Sequence, residues 1–210
     1  MILNQHHLMK LPQSNTIMKA PRSLFVAGAF GLLALSNSAH AAVTMTYYES
    51  GADVIVVSTG TLNLTELTFV GSGFSLPAQV NPDTGMSVSG SATPTLIDVY
   101  VGASGPSGFG PGGLLVNATS GVGDTVGVYA TTGSIYVPDV FVSGGTIGSI
   151  STYVGQSIAS LGLTPGTYVY SWGITKEADS LTVVIVPEPS ASVLLGLSVT
   201  ALLIRRRRVA

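Results

Sequence analysis

The chain has 210 residues, of which 9% are charged and 46% hydrophobic, with 26 Gly, 11 Pro, no Cys and a formal net charge of −2. A soluble domain averages about 25% charged residues, so the scarcity of charge excludes a nucleic-acid binder. The hydrophobicity excludes disorder of the charged kind, and the length allows one domain, two at most.

The first element is an export signal. Lys19 and Arg22 precede the apolar run Leu24 to Leu35, and small residues follow as Ser38-Ala39-His40-Ala41-Ala42. A basic region, an apolar region and an A-x-A site form the layout of a secretory signal peptide. Ala39, Ala41 and Ala42 frame the expected cut, which falls after Ala41. Residues 1–41 are thus assigned to the signal, and the Sec translocon and signal peptidase are its expected partners. A start at Met18 gives a basic region of ordinary length, so Met18 is the expected first residue.

Residues 42–186 are predicted to form a single all-β domain, an antiparallel sandwich or a barrel-like variant of it. Strands are expected at Asp53 to Ser58, Thr61 to Val70, Thr95 to Val101, Thr125 to Ala130, Ile135 to Val137, Val140 to Val142, Gly166 to Trp172 and Leu181 to Val186. Val, Ile, Thr and Tyr dominate these runs, and Gly, Pro, Ser and Asn punctuate them. Only Val154 to Leu161 has room for a helix, of two turns. Asn81-Pro82-Asp83-Thr84-Gly85 has turn chemistry at every position. Gly102 to Gly113 is expected to be an exposed loop, with a linker as the alternative.

The chemistry of this segment is narrow. It holds one base, Lys176, against nine acids, a net charge of −8, and no His, Cys or Arg. Triads that need a histidine base cannot form. Zinc and copper sites built on His or Cys are excluded. No metal, cofactor or catalytic residue is assigned. A carboxylate-only glycosidase or a calcium site remains chemically open, but the acids lie singly along the chain. The nearest pair, Glu177 and Asp179, is expected in a solvated hairpin turn. Tyr168, Tyr170 and Trp172 alternate onto one face of a strand. That strip can plug a sandwich core or serve as a glycan platform. Asn63-Leu64-Thr65 and Asn117-Ala118-Thr119 match the glycosylation sequon by chance.

The last element is a second signal, residues 187–210. Pro187-Glu188-Pro189 is followed by an apolar run of 14 residues, Ala191 to Ile204, and by the cluster Arg205, Arg206, Arg207 and Arg208. The run is at or below the short limit for a spanning helix, and the arginines can snorkel to extend it. They also set the topology, with the positive side inside. This tripartite tail resembles the PEP-CTERM sorting signal of Gram-negative bacteria. The resemblance implies an exosortase as partner, transient insertion in the inner membrane, and release or transfer to the cell surface near the Pro-Glu-Pro. Such proteins accompany exopolysaccharide and biofilm. Residues Leu161 to Gly173, Ala178 to Val183, Tyr136 to Pro138 and Val142 to Gly144 are similar to what precedes such tails.

These readings point to a non-enzymatic exported surface or matrix protein. A secreted glycan-binding module and an uncut single-span ectodomain are the alternatives.

Overall fold

A computed structural model describes residues 42–174 and 176–187. The expected signal peptide and the expected tail helix with its arginines lie outside the described residues.

In chain order the strands are β1 (Ala42–Ser50), β2 (Asp53–Leu62), β3 (Thr68–Leu76), β4 (Gln79–Asn81), β5 (Met86–Ser89) and β6 (Thr95–Val101). They continue with β7 (Val116–Asn117), β8 (Ser120–Gly123), β9 (Val126–Tyr129), β10 (Ser134–Pro138), β11 (Gly145–Tyr153), β12 (Gly166–Trp172) and β13 (Asp179–Ile185). One sheet has the order β12-β13-β1-β2-β11-β8, and the other β3-β6-β10-β9-β5-β4-β7. The all-β expectation therefore holds, with two sheets consistent with a sandwich.

Period-two alternation builds the interior. Val43, Met45 and Tyr47 of β1 are buried in turn, as are Leu181, Val183 and Ile185 of β13. They meet Val126 and Val128 of β9 and Ile135 and Val137 of β10 in one continuous core. Burial of each such aliphatic side chain contributes about 1.5–3 kcal/mol.

One pairing departs from the antiparallel rule. β1 runs parallel to β13, with Ala42 opposite Ser180 and Tyr47 opposite Ile185. The start of β1 and the end of β13 therefore lie at opposite ends of the sheet. The Val186 N–H donates to Tyr47 O (2.9 Å), and Val186 and Pro187 are exposed.

A seam of serines joins the sheets on one side. Ser58 Oγ lies 2.5 Å from Ser89 Oγ, which lies 2.9 Å from Ser149 Oγ. The Gly90 N–H donates to Ser151 Oγ at 2.9 Å, and Tyr47 Oη lies 2.6 Å from Ser87 Oγ. Every one of these side chains is buried, so each hydroxyl must find a partner inside the fold. Burial pushes the Tyr47 phenol up to about 12 against the opposing pull of Ser87. The seam thus stays uncharged at neutral pH.

Several expected elements are corrected. Thr61 to Val70 is not one strand. It breaks after Leu62 into a turn closed by the Leu67 N–H donating to Leu64 O (2.9 Å). Val140 to Val142 is a turn, in which the Phe141 N–H donates to Pro138 O (3.1 Å). Val154 to Leu161 forms turns and no helix. The glycine-rich stretch is the expected loop, exposed over most of its length, but it is pinned to the fold at Phe109 and does not link two domains. Phe109 at its centre is fully buried, edge-on to Tyr168 (5.3 Å, 82°) and Tyr170 (6.0 Å, 84°). Ser104 bridges to Ser171 of β12, and a Cβ on Gly105 would lie 2.6 Å from the Tyr170 ring. Glycine lets the loop lie flat along β12 and cover that strand's open edge, which would otherwise offer unpaired backbone.

Candidate functional site

The aromatic strip on β12 is a core feature. Tyr170 and Trp172 are 1% and 3% exposed, and Tyr168 is half-buried against Phe109. Tyr168 Oη donates to Thr164 O (2.8 Å), and Trp172 Nε1–H donates to Asn63 O (2.9 Å). The face that β12 turns outward carries Val169 and Ser171 instead. A glycan platform on Tyr168, Tyr170 and Trp172 is therefore excluded. Alternation put three rings on one face, but that face is the inner one.

Of the pair Glu177 and Asp179, Glu177 lies part-exposed in the expected turn, but Asp179 is not solvated. Asp179 is 4% exposed, and its carboxylate accepts the N–H of Asn63 (2.5 Å) and of Ser180 (2.6 Å). Glu177 Oε2 accepts from Asn63 Nδ2 (2.9 Å), while Ser143 Oγ donates to Asn63 Oδ1 (3.1 Å). Asn63 is thus held through both its backbone and its side chain. It ties the turn after β2 to the β12–β13 hairpin and to the turn before β11. The sequon at Asn63 has its amide nitrogen engaged in this knot.

Three other carboxylates secure loops by accepting backbone N–H groups, a charge-assisted bond stronger than its neutral counterpart. Glu49 takes Ile158 N–H (2.5 Å), Asp53 takes Gly155 N–H (2.8 Å), and Asp124 takes Gly148 N–H (2.9 Å). Among the described residues no group of three or more His, Cys, Asp or Glu is placed to hold a metal ion.

Asp98 is the buried carboxylate with an unanswered oxygen. It is 7% exposed, and its Oδ1 has no hydrogen-bond partner. Burial and the facing Asp139 carboxyl push Asp98 above the usual carboxylate range, while the Val140 N–H pulls the other way. That N–H is aimed by a turn in which Val140 takes φ +57°, a left-handed conformation rare for a β-branched residue. A carboxyl raised in the fold contributes stability that is fully present below its unfolded pKa. That stability is lost as pH rises through the folded pKa. Between about pH 4 and pH 7 the native chain will therefore lose stability relative to Asp98→Asn. Paired urea denaturation curves at the two pH values check this; equal losses in the two proteins would contradict it.

A concave site lies on the outer face of the second sheet, which the sequence did not single out. It is a groove of about 410 Å³. Ile97 and Tyr136 form its floor over a small second cluster with Val88, and Phe74 and Tyr129 stand at its sides. Ser75, Thr132 and Ser134 add hydroxyls, with Thr132 Oγ1 and Ser134 Oγ 2.7 Å apart. The wall at Phe74 depends on the edge strand β3, whose register slips between Phe69 and Gly71 and again between Gly71 and Phe74. A Cβ on Gly71 would come within 3.3 Å of the Phe74 ring, so glycine there leaves the ring room to lie back over the strand. Alternation in Ser134-Ile135-Tyr136-Val137 signals the outward Tyr136, but the slips in β3 hide Phe74 from any period-two rule.

Of the residues assigned to sorting and cleavage, Ala42 opens β1 and Pro187 stands exposed just beyond β13. Ala39, Ala41, Glu188, Pro189 and Arg205 to Arg208 lie outside the described residues. Comparison with family models, with curated proteins and with solved structures gave no match to this chain.

Proposed function

We propose that this protein is a non-enzymatic exported protein of the cell surface or extracellular matrix, delivered by its C-terminal sorting signal. The observation that carries the proposal is the ordered tail: Pro187-Glu188-Pro189, a short apolar run, and Arg205 to Arg208. Signal peptidase acts after Ala41. The apolar run holds the chain in the inner membrane, and an exosortase acts at the Pro-Glu-Pro. The β domain is then left at the surface, in company with exopolysaccharide.

The local geometry is compatible with such a cut. β13 ends at Ile185, and among the described residues the last backbone bond to the sheet is made by Val186. Cleavage at or beyond Pro187 leaves every described strand in place. The absence of His, Cys and Arg from residues 42–186 supports a binding or structural role over catalysis.

Intact mass of the native protein, taken separately from membranes and from the extracellular fraction, tests the proposal. The expected mass runs from Ala42 to the Pro187–Pro189 region, plus whatever the exosortase attaches. A mass that retains Arg205 to Arg208, found only in membranes, would replace it with an uncut single-span ectodomain.

A further inference from the structure

We propose that the groove between Phe74 and Tyr129 on the second sheet is a binding site for a neutral glycan chain. The inference goes beyond sorting and does not depend on it, since the groove would be the same on a cut or an uncut chain.

Three features define the ligand. The first is charge. None of the ten residues lining the groove is charged, in a segment with nine acids and one base. An anionic polymer would find no cation here and would be repelled by the domain as a whole. A cationic ligand would find no local carboxylate.

The second is the balance of functional groups. Five of the ten lining residues, Ser75, Tyr129, Thr132, Ser134 and Tyr136, carry hydroxyls, and the other five are apolar. Thr132 and Ser134 bond each other (2.7 Å), which leaves the hydroxyls of Ser75, Tyr129 and Tyr136 to answer a ligand. A sugar ring presents both an apolar C–H face and a rim of hydroxyls. Aromatic rings such as Phe74, Tyr129 and Tyr136 stack on the first, and hydroxyl side chains bond the second. A mostly apolar concavity with a few polar groups that fix orientation is the general form of a ligand site.

The third is what the edge strand cannot do. A peptide adding as a strand needs a continuous row of backbone donors and acceptors on β3. The two register slips interrupt that row between Phe69 and Phe74. They turn β3 into a wall with Phe74 at its side. The groove crosses four strands, β3, β6, β10 and β9. At strand spacing that is about 14 Å, which suits a short run of linked rings better than a single sugar.

The test titrates the full-length protein in detergent with cellohexaose, maltohexaose and mannohexaose, with an alginate oligomer and an apolar decapeptide as controls, by isothermal calorimetry. At least one neutral hexasaccharide is expected to bind. Phe74→Ala and Tyr129→Ala should each weaken it about three- to tenfold. Val169→Ala, on the exposed face of β12, should leave it unchanged. Tyr129→Phe keeps the ring and guards against a folding artefact; it should retain most of the affinity with an unchanged melting temperature. Failure of all three hexasaccharides at millimolar concentration overturns the proposal. So does equal affinity in Phe74→Ala and Tyr129→Ala, or saturable binding of only the alginate or the peptide.

Discussion

A chain ending at Ala178 will not fold, whereas one ending at Val186 will melt at the same temperature as the full-length protein. The seven residues of β13 lie between β12 and β1 in the first sheet. Their removal takes Leu181, Val183 and Ile185 out of the core, where each is at most 1% exposed. At about 1.5–3 kcal/mol for each side chain, that loss is about 5–9 kcal/mol. A typical domain has only about 5–15 kcal/mol of stability in all. The deletion also detaches β12 and leaves the inner edge of β1 without its ladder, stranding backbone groups that must be paired when buried. Val186 makes the last described backbone bond to the sheet. Circular dichroism and thermal melts of the two truncations check the prediction; a cooperative melt from the chain ending at Ala178 would refute the central place given to β13.

Trp172→Ala will destabilise the domain by about 3–5 kcal/mol, the usual cost of truncating a buried large aromatic. In a domain of this size that lowers the melting temperature by about 10–20 °C. The indole is 3% exposed, and its N–H satisfies Asn63 O. The substitution leaves both a cavity and an unanswered carbonyl at the knot formed by Asn63, Glu177 and Asp179. Were the ring a surface platform, its loss would cost within about 0.5 kcal/mol and would show only in sugar binding. Equilibrium urea unfolding separates the two. A shift of midpoint by less than a few tenths molar would return the indole to the surface.

The strands that residues 95–101 and 166–172 form were legible at their full length, because β-branched and aromatic residues fill them and glycine or proline bounds them. The nine residues of β11 were not. Its inward positions are Ile147, Ser149, Ser151 and Tyr153, and the two serines belong to the hydrogen-bonded seam. Where the interior is lined by hydroxyls, burial leaves no hydrophobic period to read. β1 is the opposite case: Val43, Met45 and Tyr47 alternate cleanly, but the stretch adjoins the expected cleavage site and was left without an element. The candidate groove was the least legible part. Tyr129 and Tyr136 fall on known strands, but Phe74 reaches them only through two register slips, and no sequence spacing encodes those.

The parallel pairing of β1 with β13 has a kinetic consequence. The ladder that starts the chain is completed by the strand that ends the domain, so closing it brings together residues separated by almost the whole described sequence. Loop closure over such a separation is slow, and sandwiches rich in non-local pairs fold in milliseconds to seconds. The second sheet draws no strand from beyond β10, but the first sheet cannot close until β13 reaches β1. Taken in chain order, one finished sheet therefore waits on the last strand of the other.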